Sequence, residues 1–327
     1  MTRPAIAGAR HAFQIIHPGS PMLRVRYAEG VAVDPYGFPD WTPYARTVIE
    51  LPAVTPDLGV DEARVLDVLT ANETAATGGD PLWQGLEGGA TPAGWTWAHL
   101  GRTRRVALVP VELHGAFRHL GGASTDGGDP ARPGLAVDTG TPPAISVSAR
   151  LADEAMDKVE RQLGYALPDG YRSFLLRTNG GVPARPAVHP RFGFVVDQPM
   201  FGLARADWLQ DLVYANAWFG DRLTPQWLAI GYVHGGLLAL RVRGEWRGSV
   251  AYLDDDDPRD RDGYGAVEVC ERLLRFCADD FTAFWMALRE VPASLLARAR
   301  TAAQGRASLV VPPRMGAGLP AAKRAPG

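Results

Sequence analysis

Apolar residues follow two different patterns in the two halves of the chain. In the first half, "DEARVLDVLTANE" (residues 61–73) repeats apolar residues at helical spacing behind acidic residues, which predicts one helix. Residues 95–99 and 105–109 are short apolar runs around a Gly-containing turn, which predicts a β-hairpin. Pro110 then begins a helix that the Gly-Gly at 121–122 ends. The first half therefore predicts a ββα unit.

The second half combines two early helices with a run of strands. "SARLADEAMDKVERQLGYALP" (148–168) has an apolar helical face, and a second short helix ends in an Asn-Gly-Gly that tolerates a left-handed C-cap. The turns "HGG" and "GEWRG" join later strands as antiparallel hairpins, and a last helix over 266–291 covers the sheet. The predicted strands lie near 191–196, 227–233, 237–243 and 248–254. The fold class is α+β, with an antiparallel sheet in this half.

Composition divides the chain between these patterns. Residues 121–144 consist mostly of Gly, Pro, Asp, Ser and Thr, which is typical of a flexible linker. The predicted units are a ββα-metal module at 1–125, a linker at 126–146 and an α+β domain at 147–291. Residues 292–327 contain several basic residues and no acidic residue. This composition predicts one short helix followed by a disordered basic tail.

The remaining composition excludes several classes of protein. The chain is 46% apolar and 21% charged, and no apolar run approaches the roughly 18 residues of a membrane helix. Residues 1–20 lack the apolar region of a signal peptide, so we expect a cytoplasmic protein without a membrane partner. Cys270 and Cys277 are then buried thiols in a reducing compartment. A net charge of −2 gives no global attraction to nucleic acid.

Three histidines fall on the predicted ββα unit. His99 lies on the first strand, and His114 and His119 lie on the helix. A hairpin histidine can act as a general base beside a phosphate, while helix histidines can hold a divalent cation. The spacing alone does not decide whether these histidines form a site or are structural or surface residues. His114 and His119 are five residues apart, so they share a helical face only if the helix is ending there.

The wider motif resembles a known nuclease family. "GWTWAH" and "VALVPVELHGAFRHLGG", with the upstream "DPYGFPDWTPYA" and "AN" at 71–72, resemble the WHH group of HNH/endonuclease VII-like toxins over residues 28–123. The resemblance implies that Trp97 is the motif tryptophan, that His99 is the general base, and that His114 and His119 ligate a metal ion. It also gives Asp40 a supporting role.

Ala98 departs from this pattern. It stands where the family has a histidine that ligates the metal, and a methyl group cannot coordinate a cation. Glu112 or Asp126 could take its place, although nothing in the sequence puts either residue there. We therefore hypothesise that the module is weakened or inactive. Its cofactor, if it is functional, is a divalent Mg, Ni or Zn ion, and only then is DNA a partner.

The second half carries no nucleophile-base pair and no ligand cluster. The acidic run "DDDDPRDRDG" (254–263) is either a solvated turn or an acidic surface that docks on a basic nuclease. Its tryptophans are aromatic anchors by type, and core positions are the alternative. These are Trp208, Trp218, Trp227 and Trp246.

This half resembles the SUKH superfamily, the Smi/Knr-like fold of bacterial immunity proteins. "VERQLGYALPDGYRSFLLRTNGG", "WLAIGYVHGGLLAL" and "GSVAYLDDDD" carry the resemblance over about residues 147–290. Leu167, Phe174 and the Asn179–Gly181 turn have structural roles by type. The resemblance implies a domain that binds a nuclease toxin and does not turn over a substrate.

Two hypotheses follow for the whole chain. In the first, it is a protein of a bacterial polymorphic toxin system whose SUKH immunity domain binds a nuclease toxin and is fused to an HNH-type module that has lost one metal-ligand histidine. In the second, it is an active metal-dependent DNase that carries its immunity domain in cis. The substitution at Ala98 favours the first.

Overall fold

The structure of the chain is a computed structural model. The structure describes residues 14–54, 57–86, 89–117, 140–147, 149–205, 208–217, 219–220, 222–255, 257, 259–260, 264–306 and 308–310. His119, Asp126 and Trp218, together with most of the predicted linker and residues 311–327, lie outside these ranges.

The first half contains a hairpin and a helix, as its apolar pattern predicts. Its helices are α1 (Pro21–Arg26), α2 (Val60–Thr77) and α3 (Val111–Gly115). Its strands are β1 (Gln14–Ile16), β2 (Val31–Val33), β3 (Pro39–Asp40), β4 (Thr47–Glu50), β5 (Trp95–Leu100) and β6 (Arg105–Pro110). β5, β6 and α3 form the ββα unit, and β4 pairs with the outer side of β6.

The second half is an α+β arrangement in which all described strand pairs are antiparallel. Its strands are β7 (Ile145–Ser146), β8 (Val182–Pro183), β9 (Ala187–Val188), β10 (Val195–Val196), β11 (Trp227–Val233), β12 (Gly236–Arg241), β13 (Val250–Asp254), β14 (Arg275–Ala278) and β15 (Arg289–Glu290). Its helices are α4 (Asp153–Leu163), α5 (Asp169–Thr178), α6 (Leu212–Asn216), α7 (Ala266–Arg272) and α8 (Phe281–Ala287). The main sheet has the order β11-β12-β13-β14.

The Asn-Gly-Gly motif ends α5 in the predicted left-handed conformation. Asn179 has a φ of 44°, and its side-chain amide pairs with the backbone N–H and carbonyl of Leu203. Gly180 follows with a φ of +81° and lies so close to the Met200 carbonyl that a Cβ atom would collide with it. Leu167 and Phe174 are buried in the core. The motif therefore joins the helix pair to the loop before the sheet.

Two sequence predictions for this half need correction. Residues 266–291 do not form one helix, because β14 separates α7 from α8 and adds a fourth strand to the sheet. The predicted linker over 126–146 extends too far, since Ile145 and Ser146 pair with β8.

The short helix predicted after residue 292 is present, but the prediction of a disordered tail directly after it is wrong for residues 308–310. Helix α9 (Ala293–Ala303) packs along α2, and β16 (Ser308–Val310) pairs with β4 in the sheet of the first half. Leu295 and Ala299 are buried against Leu66 and Leu69. The apolar face of α9 therefore packs the end of the described chain against the first half, although this segment is rich in basic residues.

The two halves share their hydrophobic core. One cluster of buried residues runs from Leu23 and Leu113 in the first half to Tyr171 and Leu238 in the second. A second cluster joins α2 to β9 and β10 as well as to α9. None of the helices in the described ranges combines the length and apolar composition needed to cross a bilayer.

Candidate functional site

The hairpin β5–β6 directs its successive side chains to opposite faces. His99 pairs across the hairpin with Val106 and Ala98 pairs with Ala107, and successive residues of a strand alternate between its faces. Val106 packs in a cluster with Trp97 against α2, whereas Ala98 and Ala107 lie in the core shared with the second half. The proposed base and the substituted ligand position therefore face opposite sides of the hairpin.

On the α2 side, His99 is held by a buried carboxylate. Its Nε2 lies 3.1 Å from Oδ2 of Asp67. The same carboxylate accepts two hydrogen bonds from the Arg104 guanidinium, at 2.9 and 2.6 Å. Only 9% of the His99 side chain is exposed. The contact with Asp67 fixes the orientation of the imidazole through Nε2, so Nδ1 is the ring nitrogen that this contact does not engage.

Trp97 has a structural role next to this pair. Its indole N–H donates a 2.7 Å hydrogen bond to Oδ1 of Asn72 on α2. Asn72 in turn donates to the Gly89 carbonyl at 2.7 Å and to Thr91 Oγ1 at 3.0 Å. The tryptophan and the "AN" asparagine thus tie the hairpin, α2 and the preceding loop together.

On the other side, His114 projects from α3 into a closed environment. Its ring lies 5.3 Å from the Trp41 ring, centroid to centroid, and only 6% of its side chain is exposed. Asp40 supports this arrangement indirectly, because its carboxylate accepts hydrogen bonds from the Thr42 N–H and hydroxyl and so forms the turn that carries Trp41. Ala98 is 1% exposed and fully packed.

The acidic run of the second half meets the first half at this point. Oδ2 of Asp255 lies 3.4 Å from Nδ1 of His114, and Asp254 lies 3.9 Å from the Arg64 guanidinium on α2. Both aspartates stand at the end of β13. The carboxylates at this end of β13 therefore face the first half of the same chain.

Other carboxylates of the run are held inside the second half. Burial alone would raise the pKa of Asp257, but hydrogen bonds from Arg259 and Arg275 outweigh it and lower the pKa to about 2. Asp260 pairs with Arg222 at 2.9 Å, and both side chains are buried. The alternative interpretation as a solvated turn is therefore wrong for these two carboxylates.

Glu112, the described candidate for the missing ligand, is engaged elsewhere. Its Oε1 accepts hydrogen bonds from Arg26 at 2.6 Å and from the Tyr27 hydroxyl at 2.5 Å. Burial and the neighbouring Glu112 carboxylate raise the pKa of Tyr27, so its proton stays in this contact. Arg26 also lies 3.7 Å above the ring of Trp208 in the second half. Glu112 thus serves to anchor α1.

Sequence reasoning missed a pair of residues that joins the halves. Asp197 accepts a 2.9 Å hydrogen bond from the Thr91 N–H, and burial raises the pKa of this carboxyl to about 6. Gln198 accepts from the Gly94 N–H at 3.2 Å and donates to the Trp95 carbonyl at 2.7 Å. The adjacent polar residues Asp-Gln directly after the apolar β10 were the available signal.

The described residues do not fit a divalent cation. A site of this type needs three or more nitrogen or oxygen donors around one point. Across the residues that the structure describes, no group of three His, Cys, Asp or Glu side chains has this arrangement. Ala98 offers only a methyl group, and His99 faces the opposite side of the hairpin from Ala98.

Comparison with protein families bears out both resemblances. The model of a nuclease of the HNH/ENDO VII superfamily with conserved WHH matches residues 87–129. The SMI1/KNR4 family model (SUKH-1) matches residues 150–286. The first match covers the ββα unit, and the second covers most of the second half. A comparison with curated proteins finds no match to the chain.

Proposed function

We propose that this chain, which contains a WHH-type nuclease segment and a SUKH domain, is an immunity-type protein of a bacterial polymorphic toxin system. Its SUKH domain acts by binding a nuclease toxin. Its own nuclease segment is a non-catalytic part of the fold, and the observation that carries this proposal is the Asp255 carboxylate beside the His114 ring.

The loss of catalysis rests on how the motif residues are used. The position of the first motif histidine is a packed alanine, and His99 is bound to Asp67 on the opposite face from His114. Nucleases of this type need a base and a metal-bound phosphate on one accessible surface. The core shared between the halves keeps the α3 side closed, since opening it would expose buried apolar residues to water.

The binding role rests on the SUKH domain. Its motif residues build the helix pair and the sheet, and its described part holds no group of three side chains that could bind a metal ion. At the end of β13, Asp255 contacts His114 of the nuclease segment, and Asp254 contacts Arg64 on α2. Carboxylates of this kind complement the basic surface with which a nuclease contacts phosphate groups.

A plasmid-nicking assay of the full chain tests the catalytic part. We expect no nicking with Mg, Ni or Zn, either for the wild-type chain or for the Asp255→Ala variant. His99→Ala is the matched control, because it removes the presumed base and should change nothing. Metal-dependent nicking by the wild type that His99→Ala abolishes would overturn the proposal.

The same assay addresses the second candidate function, a DNase inhibited in cis. The observation that favours it is again the contact between His114 and Asp255, since an inhibitor would occupy this position. Under this function, Asp255→Ala gains metal-dependent nicking, and Asp255→Ala combined with His99→Ala loses it again. The divalent metal ion would then be the cofactor and DNA the substrate.

Protection of cells tests the immunity part. We propose that the chain acts in the cytoplasm, where co-expression with a WHH-type nuclease toxin from the same genome should restore growth. Purified chain should also co-elute with the toxin and stop its cleavage of DNA. The proposal fails if the chain neither binds the toxin nor protects the cells.

A further inference from the structure

An open groove lies on the SUKH sheet beyond the contact with the nuclease segment. It has a volume of about 450 Å³, and its lining includes Trp227, Arg241, Trp246, Cys270, Leu274 and Phe276. We call it the Trp246 groove. Its volume falls in the range of roughly 300–1,000 Å³ that is typical of ligand sites.

The groove continues the sheet face that contacts the first half. The strand register puts Leu237, Ala239 and Arg241 of β12 on one face. Leu237 lines a small cavity together with Gly115 of the nuclease segment, while Arg241 lines the groove at the other end. One end of this face is therefore covered within the chain, and the described residues leave the other end open.

Trp246 has a conformation and an exposure that the fold does not require. It lies in the turn between β12 and β13 with a φ of 63°, and 65% of its surface is exposed. A residue other than glycine is strained in the left-handed region, and most of the Trp246 surface gains no burial in return. Phe276 is also 50% exposed. Such neighbouring exposed aromatic residues are typical of a binding surface.

The charge of the groove indicates what it binds. Arg241 is the charged residue of the lining. Among the described residues, its guanidinium donates to the Arg243 carbonyl and the Gln226 side chain, both at 3.4 Å, and lies 5.5 Å from the centroid of the Trp227 ring. Within the described residues, no carboxylate lies within ion-pair distance of Arg241. An arginine beside aromatic rings pairs well with a carboxylate that enters next to an apolar side chain.

We propose that the Trp246 groove binds a linear segment of a partner protein in which a carboxylate stands next to an aromatic or aliphatic side chain. Residues 311–327 of the chain itself are excluded on charge, because they contain Arg314, Lys323 and Arg324 and no acidic residue. The basic DNA-contacting surface of a nuclease is excluded for the same reason. The groove therefore serves a contact different from the one at Asp255.

Selection from a display library of random linear peptides against the full chain tests this proposal. We expect selected peptides to carry Asp or Glu beside Trp, Phe or Leu. Trp246→Ala and Arg241→Gln should each weaken the binding of a selected peptide about tenfold or more, which corresponds to about 1.4 kcal/mol. Met286→Ala is the matched control, because Met286 is an exposed apolar residue on α8 and is absent from the groove.

Trp246→Gly separates binding from folding. Glycine relaxes the left-handed backbone, so the variant should be at least as stable as the wild type and should still lose the peptide. Three results would overturn the proposal: selected peptides without acidic residues, binding that survives both groove variants, or a dimer of the chain that Trp246→Ala abolishes. The immunity function would be untouched by any of them, since its assays do not depend on the groove.

Discussion

The Asp255 carboxylate lies 3.4 Å from Nδ1 of His114 and joins the end of the SUKH strand β13 to the helix of the nuclease segment. A largely buried contact between a carboxylate and an imidazole is strongly coupled, because removal of either group takes this polar contact from the other. We expect Asp255→Asn and His114→Ala each to lower the free energy of unfolding by about 1–3 kcal/mol. The double variant should lose less than the sum of the two, by about 0.5–2 kcal/mol in urea unfolding.

The control for this cycle is Asp279→Asn. Asp279 is exposed, so its substitution should change stability by less than about 0.5 kcal/mol. Additive losses from Asp255 and His114 would show that the two side chains do not interact, and the proposed function would then lose the observation that carries it.

The buried carboxyl of Asp197 makes stability depend on pH in a definite direction. Burial raises its pKa from 3.8 to about 6, so the folded chain retains a proton that the unfolded chain has released. The loss of folding stability caused by this carboxyl is absent below pH 3.8, grows as pH rises, and is complete once pH has passed 6. Asp197→Asn removes this titration and can still accept the hydrogen bond from Thr91. We therefore expect the variant to be about 1–3 kcal/mol more stable than wild type at pH 8.

Urea unfolding from pH 4 to pH 8 measures this difference. His189 titrates in the same range, because burial lowers its pKa from 6.5 to about 4, and it destabilises both proteins equally as pH falls. The gap between the variant and the wild type is therefore the relevant quantity. A gap that does not change with pH would contradict a raised pKa for Asp197.

Gln198 holds the start of β5 through two hydrogen bonds from its side-chain amide. Gln198→Ala would leave the Gly94 N–H and the Trp95 carbonyl without these partners in a buried position. We expect a loss of about 2–4 kcal/mol and faster proteolysis of the loop before β5. Gln162→Ala, at an exposed position of α4, is the control. Equal cleavage rates for the two variants would show that Gln198 does not hold the halves together.

Local patterns in the sequence predicted much of the fold. The hairpin and its helix, the Asn-Gly-Gly end of α5 and the hairpins of the main sheet all depend on residues close in sequence. The broken helix at 266–291 was missed because β14 is stabilised by pairing with β13, a contact that helical periodicity does not reveal. Cys270 and Cys277 consequently lie on a helix and a strand, and both are free thiols that are partly exposed, so the prediction that they are buried is wrong.

The candidate site was less predictable, since its character depends on distant residues. The motif identified His99 and His114, but their partners Asp67 and Asp255 come from α2 and from the other half of the chain. The roles implied for the site residues remain predictions, and His119 lies outside the described residues. The motif is read from residues close in sequence, whereas the exposure of its histidines depends on distant residues that pack against them.

Ala98→His tests whether the missing ligand can be restored. Ala98 is 1% exposed and lies in the shared core, so an imidazole would need space and polar partners that the core does not provide. We expect a loss of about 2–4 kcal/mol and no gain of metal-dependent nicking. Ala76→His, on an exposed position of α2, should be nearly neutral. Tight binding of one metal ion per chain by Ala98→His would show that the site is intact except for this residue.

The return of α9 to the first half gives the last prediction. Leu295 and Ala299 are buried in the cluster that contains Leu66 and Leu69. A chain that ends at Val291 leaves this face of α2 in water and removes the strand that pairs with β4. We expect it to lose at least about 3 kcal/mol in urea unfolding, because burial of one leucine alone is worth about 2–3 kcal/mol. A chain that ends at Val310 keeps α9 and β16 and should match the full chain. If both truncated chains unfold at the same urea concentration as the full chain, α9 is a passive tail, and the two halves are joined by the contacts of the shared core alone.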